Sequence, residues 1–122
     1  MAEHHAHIHV ENLRLRTFVG FNPEELEKKQ DVVINLGIDY QADLACDTDD
    51  QSNALDYKVI TKAVIAFVEN GQFKLLEKLC ADILSMVLSY DGVLSAEVKV
   101  GKPHALRFAD SVSLTLRGTK YD

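Results

Sequence analysis

The chain has 122 residues, 47% of them hydrophobic, and sets 13 lysines and arginines against 19 aspartates and glutamates for a formal net charge of -6. That length supports one domain with a real core, spanning 1–122, and leaves no room for a second. The acidic balance excludes a broad nucleic-acid or anionic-membrane surface, so an anionic ligand has to be met by a local cluster of cations.

In chain order, the first predicted element runs from His7 to Val19, where apolar residues alternate as Ile8 and Val10, then Leu13 and Leu15. The slip in phase at Glu11 and Asn12 predicts a bulge. "FNPEELEKKQ" follows, with Pro23 and dense charge, and reads as a loop or short helical turn. "DVVINLGIDY" then places Val32, Ile34, Leu36, Ile38 and Tyr40 on one face of a second strand. After the turn-rich "CDTDDQSNALDYK" the period changes from two to nearly four. Val59, Ile60, Ala63, Val64, Phe67 and Val68 mark a helix that is expected to close with a left-handed residue near Asn70 and Gly71. A second helix is predicted from Phe73 to Ser89. Two strands complete the chain, with Ala96, Val98 and Val100 in one and Val112, Leu114 and Leu116 in the other. The order ββααββ predicts an α+β domain, an antiparallel four-stranded sheet with both helices on one face. Such a sheet leaves two open edges, which pairing between subunits would cover.

No apolar run approaches the ~18 residues of a spanning helix, and the N-terminus lacks a charged-then-apolar leader, so a cytoplasmic location is expected. Cys46 and Cys80 form neither a disulfide framework nor a zinc signature and are expected as free thiols. His4, His5, His7 and His9 suggest a metal only superficially, because His7 and His9 read as the outer face of a strand. "DTDDQS" lacks the glycine and distant glutamate of a calcium loop. No glycine-rich nucleotide loop and no serine or cysteine nucleophile motif is present.

Some residues do not fit a purely structural pattern. On the second helix Lys74, Lys78, Asp82, Ser85 and Ser89 share a polar face, whereas Glu77 projects into the arc of Phe73, Cys80, Ala81, Leu84 and Leu88. A carboxylate there either reaches a rim or has a dedicated partner, which is a lysine or arginine of the same fold or a ligand with two parallel N–H donors. Lys102 continues the inward phase of Ala96, Val98 and Val100, and Pro103 ends the strand directly after it. Its stem either snorkels outward or carries a functional amine at a strand end. Tyr57 stands at a helix boundary, and Glu25 lies in a charged loop of the kind that is usually just solvated. In this acidic chain Lys102, His104 and Arg107 gather within "VKVGKPHALRFADSVSLTL", between two strands.

Through these residues the chain resembles the dihydroneopterin aldolase family, and more closely its dihydroneopterin triphosphate 2′-epimerase branch. The resemblance rests on "NLRLRTFVGFNPEELEKKQDVVINL", "NALDYKVITK", "FKLLEKL" and "VGKPHALRFADSVSLTL" in this order and spacing. It implies the tunnelling fold (T-fold), with subunits paired edge to edge into a tetramer or a stacked octamer and active sites lying between them. It places the family's pterin-anchoring glutamate on Glu77, its lysine on Lys102, its tyrosine on Tyr57 and its early-loop acid on Glu25. Backbone around Leu75 and Leu76, with Leu55 or Asp56 of the partner subunit, would line the pterin pocket.

The chemistry so implied is a retro-aldol cleavage between C1′ and C2′ of a dihydropterin side chain. Lys102, through water, would take the 2′-hydroxyl proton; Tyr57 would orient or return protons, and Glu25 would hold the hydroxyl, its water or Lys102. The electrons flow into the pterin ring, so no cofactor or metal is called for. An epimerase turns the aldehyde and adds it back, giving the dihydromonapterin series; an aldolase releases glycolaldehyde and 6-hydroxymethyl-dihydropterin. A non-catalytic pterin- or purine-binding module is a further alternative. Aldolases typically carry Tyr-His-Gly where this chain has Phe18-Val19-Gly20, and a proline where it has Leu106 and Arg107; both departures match the epimerase pattern. A triphosphate substrate gives Arg107, His104 and Arg16 a task, with help from Arg14 if its strand lies near. The alternative for Arg107 is a surface pair with Asp110 or another loop acid.

Overall fold

The computed structural model describes residues 3–120. The two period-two segments form long antiparallel strands, β1 (His5–Val19) and β2 (Gln30–Gln41), joined through a short helix, α1 (Pro23–Glu27). The phase slip is a bulge. Register shifts between Val10 and Leu13, Asn12 takes a positive φ of 53°, and its N–H donates to Asn35 Oδ1 at 2.9 Å. The extra residue keeps Ile8, Val10, Leu13 and Leu15 all on the packed face although their numbers change parity.

The polar stretch after β2 holds α2 (Asp43–Thr48) and a 3-10 turn over Gln51–Asn53, then α3 (Tyr57–Glu69) begins. Asp56 caps α3 by accepting the Val59 N–H at 3.1 Å. The expected left-handed closure is not formed. Asn70 ends the helix at φ -96°, and its side-chain amide donates to the Ala66 carbonyl at 2.8 Å. Gly71 instead provides room, because a Cβ there would run into the Phe73 ring.

Phe73 does not open the second helix. Gln72 and Phe73 form β3 (Gln72–Phe73), parallel to Phe18 and Val19, and α4 (Leu76–Leu88) starts three residues later than Phe73. With β4 (Val93–Lys102) and β5 (Val112–Thr119), the sheet has five strands in the order β3-β1-β2-β4-β5, and β3 makes it mixed.

The α+β class and the one-sided packing of the long helices hold as predicted. Ile34, Leu36 and Ile38 of β2, Val98 and Val100 of β4, and Ile60, Val64, Val68, Leu79, Ile83 and Val87 of α3 and α4 are each at most 2% exposed. Each such side chain contributes roughly 1.5–3 kcal/mol relative to exposure, enough in sum to fix where the helix ends lie. The buried Thr17 hydroxyl donates to the Val68 carbonyl at 2.5 Å and ties the end of α3 to the end of β1.

The open edges are β5 and the part of β1 that β3 leaves uncovered. Cys46 and Cys80 are free thiols, the first exposed and the second buried. No helix among the described residues is long and apolar enough to cross a membrane.

Candidate active site

β4 stops at Lys102 because Pro103 has no N–H to extend the ladder. The Lys102 stem leaves from the core side, and its amine emerges at the end of the sheet against Glu25. Nζ lies 2.7 Å from Oε2, with the two side chains only 13% and 20% exposed. Burying such a pair this far gains little net stability after desolvation, so its position points to chemistry rather than to scaffolding.

The sequence around Glu25 dictates its aim. Pro23 starts α1, and Glu25, in the helix's first turn, turns back so that Oε1 accepts the Asn22 N–H at 3.3 Å. Gly20 beneath it has φ 129°, and a Cβ there would collide with the Glu25 carboxylate. The Gln30 side-chain amide donates to Glu25 Oε2 at 3.1 Å and to the Val19 carbonyl at 2.6 Å. The hydrogen bond from Lys102 is the main cause that holds the Glu25 carboxyl below its ordinary range; partial burial opposes it, and Gln30 and the Asn22 N–H add to the lowering.

Of the two outcomes open to Glu77, a rim position or a dedicated partner, the first is found: it is exposed, with no ion pair among the described residues. The reason is that α4 begins only at Leu76, so Glu77 sits in its first turn, past the cover of the sheet. Chain connectivity starts its helix at the same end of the sheet as the Lys102–Glu25 pair. The Phe73 carbonyl, just ahead of α4, accepts the N–H of the same Gly20 on which the Glu25 carboxylate rests, at 2.9 Å. Leu75, before the helix, is 48% exposed, and Leu76 is half-buried.

Tyr57 lies elsewhere. The C-terminal end of α3 is tied to Thr17, and the 13 residues of the helix carry its first residue, Tyr57, roughly 20 Å away, at 1.5 Å per residue. There Tyr57 borders a hollow with His9, Val10 and Thr61, and Leu55 and Asp56 border the next one. One protomer therefore brings Glu25, Lys102 and Glu77 to one end of the sheet and leaves Tyr57, Leu55 and Asp56 at the other.

The cations divide as well. Arg16 contacts Asp31 at 3.3 Å and donates to the Lys29 carbonyl at 3.0 Å, while His104 Nε2 lies 3.4 Å from the other Asp31 oxygen. With Arg14 and Pro103 they line a groove of about 460 Å³. Arg107 does not join them, nor does it pair with Asp110. It sits on the exposed loop with its guanidinium 5.5 Å from the centre of the Phe108 ring. Gly20, Asn22, Gln30 and Asp31 are contributors that the chain pattern alone did not single out. The Asn22-x-x-Glu25 spacing, a capping-box pattern, was the available signal for the first helix turn.

The chain is similar to known proteins over nearly its full length. The family model described as dihydroneopterin aldolase (FolB) matches residues 8–117. Dihydroneopterin triphosphate 2′-epimerase of Escherichia coli (strain K12) is 50% identical over 116 residues, covering 95% of this chain and 97% of that protein. The enzyme of the same description from Pseudomonas aeruginosa is 53% identical over 113 residues, with 93% and 92% covered. Dihydroneopterin aldolase of Haemophilus influenzae is 28% identical over 112 residues, with 91% and 95% covered. Among solved structures, a putative dihydroneopterin aldolase from Vibrio cholerae superposes with a TM-score of 0.90 at 25% identity over 93% of this chain and 97% of that one. A dihydroneopterin aldolase from Burkholderia bound to guanine gives 0.82 at 25% identity, covering 95% and 92%. The fold is thus the one that the sequence resemblance implied, and the chain belongs to the dihydroneopterin aldolase family.

Proposed function

We propose that the chain is a dihydroneopterin triphosphate 2′-epimerase, converting 7,8-dihydroneopterin triphosphate to 7,8-dihydromonapterin triphosphate. The observation that carries the proposal is the Lys102–Glu25 contact at 2.7 Å, an amine and its holder placed at an open end of the sheet. The relatives at 50% and 53% identity, both epimerases, support this branch over the aldolase at 28%.

In the resting site Lys102 donates to Glu25. When substrate enters, the extra proton of the amine passes to solvent, and Glu25 keeps the freed amine aimed at the 2′-hydroxyl or its water. Lys102 then takes the hydroxyl proton as C1′–C2′ breaks, and the electron pair of that bond moves into the N5-protonated C6–N5 imine. The pterin ring is its own electron sink, so neither a Schiff base nor a metal is required. Glu77 accepts the ring N3–H and 2-amino group as a planar pair, with the backbone of Leu75 and Leu76 along the ring. Re-addition of the aldehyde from its other face inverts C2′.

A complete site draws Tyr57, Leu55 and Asp56 of the partner subunit, since each protomer keeps its own copies roughly a helix length away. The active species is a homo-oligomer, tetramer or octamer, joined through the open edges of β1 and β5, and the enzyme acts in the cytoplasm. Arg16 and His104 hold the phosphates, with Arg107 closing from the loop. This also explains the outcome of the reaction: an aldehyde fragment tethered by its phosphates stays to be re-added, whereas an untethered one leaves.

The test is anaerobic incubation with dihydroneopterin triphosphate and, separately, with dihydroneopterin, followed by oxidation and chromatography of the pterins. Monapterin triphosphate as the main and faster product is the expected result. Hydroxymethylpterin dominating from the unphosphorylated substrate would make the chain an aldolase, and ligand binding with no turnover would make it a binding module.

A further inference from the structure

Glu25 is held by more than Lys102. Gln30, the first residue of β2, is half-buried. One side-chain N–H goes to the carbonyl of Val19, a residue only 1% exposed, at 2.6 Å. That bond fixes the plane of the amide, and the remaining N–H is left with one direction, toward Glu25 Oε2 at 3.1 Å. Oε2 is the same oxygen that accepts the Lys102 amine, while Oε1 has only the 3.3 Å bond from Asn22. The carboxylate lies directly over Gly20, where a Cβ would collide with it, so the close approach on that side depends on glycine.

This matters when the amine works. With Lys102 as the base, the amine gives up its extra proton while Glu25 keeps it aimed, and at that moment Oε2 loses its charged partner. A partly buried carboxylate with only weak donors left takes up a proton more readily and then no longer directs the amine. A second cation at position 30 would compete with Lys102 for the same oxygen. A neutral amide, already immobilised by a backbone carbonyl, does neither.

We propose that Gln30 is a positioning residue of the reaction, keeping Glu25 Oε2 hydrogen-bonded, ionised and in place while Lys102 exchanges protons with the substrate. The role rests on the assignment of Lys102 and Glu25 made above. The other charged or titratable groups around the carboxylate are Glu24 of α1, Lys28 and Lys29 after it, and His104 from the loop beyond β4. Among the described residues only Lys102 forms an ion pair with it. The ionisation of Glu25 itself, followed by the infrared band of its carboxyl and assigned by the loss of that band in Glu25→Gln, therefore reports chiefly its two side-chain donors.

Two variants test this on the full-length assembled enzyme. Gln30→Met keeps the length and removes both donors; Gln30→Glu keeps the shape and sets a second carboxylate against Oε2. The expected result is a kcat reduced about 10- to 100-fold with KM within about twofold, as for loss of a hydrogen bond to a charged group. The Glu25 carboxyl ionises at higher pH in both variants, and higher still in Gln30→Glu. Unchanged kcat and an unchanged Glu25 ionisation in a folded Gln30→Met would overturn the role, as would a loss confined to KM. Should Gln30→Met melt, kcat and the Glu25 ionisation of Gln30→Glu decide alone. Failure of both to fold would make Gln30 a scaffold residue and end the proposal. Lys102→Ala run in parallel separates the two levels. Turnover surviving that change sinks the assignment of the site; turnover lost there but normal in Gln30→Met sinks only the part given to Gln30.

Discussion

The two ends of α3 are built in opposite ways. At the C-terminal end Thr17 closes on the Val68 carbonyl, β3 docks on β1, and Gly20, Glu25, Gln30 and Lys102 are locked by hydrogen bonds of 2.6 to 3.1 Å within one protomer. At the N-terminal end Tyr57 and Val59 are 47% and 50% exposed, and the hollow beside them is bordered by His9, Val10 and lysine stems. The difference separates two requirements. A base and its holder must be set to within fractions of an ångström before substrate arrives, which a single packed chain achieves. A hydroxyl that returns a proton, and a wall that covers a flat ring, can come from a neighbouring copy.

The sharpest way to break that division is to remove the base. Lys102→Ala should lower kcat roughly 10²- to 10⁴-fold, the range of general acid–base groups, while neopterin still binds in an equilibrium titration. Loss of binding instead of turnover would move Lys102 from chemistry to anchoring. The second test addresses the split itself. Lys102→Ala and Tyr57→Phe, each impaired alone, should regain about a quarter of the wild-type rate when unfolded together and reassembled, because random assortment restores some sites with both residues intact. No recovery on mixing would place both groups in one protomer and contradict the geometry of α3.

What was legible in the chain follows the same division. Alternation in β2 and β4 and the near-four period of α3 and α4 are consequences of one-sided burial, so Ile34, Val98, Val64 and Ile83 could be placed from spacing alone. β3 could not, because two residues carry no period and its pairing is decided by Phe73 packing under Gly71. The helical wheel set Glu77 in the apolar arc but could not show that α4 begins only at Leu76, which leaves Glu77 exposed in its first turn. Glu25 looked like a solvated loop acid because the partner that gives it meaning is 77 positions away. The cations are the converse case. Lys102, His104 and Arg107 are neighbours in sequence, yet the chain leaves the sheet at Pro103 and they part company, to Glu25, Asp31 and Phe108 respectively.

The Arg16–His104 groove gives a smaller but more specific effect. Arg16→Ala should leave turnover within several-fold of normal yet raise the share of hydroxymethyl-dihydropterin formed from the triphosphate substrate, since one phosphate contact to arginine is worth about 1.5–3 kcal/mol of retention. With unphosphorylated dihydroneopterin the product ratio should not change. An equal shift with both substrates would mean that Arg16 shapes the pocket wall and holds no phosphate.

The smallest expected effect concerns acid. The Glu25 carboxyl is held below its ordinary value, first by the Lys102 hydrogen bond and against partial burial. A depressed carboxyl contributes stability that is present above its unfolded value and is lost as pH falls through the folded one. Stability of the Lys102 end should therefore decline on the acid side of the ordinary glutamate range, and Glu25→Gln should flatten that slope. The contribution is modest because solvent still reaches both side chains, 13% and 20% exposed. Among the described residues the N-terminal end of α3 has no lysine–carboxylate pair of this kind, so the two ends should part company as the pH falls. The Gly20 N–H, bonded to the Phe73 carbonyl beside Glu25, and the Ile60 N–H, bonded to Asp56 in the first turn of α3, report them separately by hydrogen exchange. Protection should fall earlier at Gly20 than at Ile60. If both fall together, and equally in Glu25→Gln, acid unfolds the domain as a whole, and the locked end is no more dependent on its ion pair than the open one.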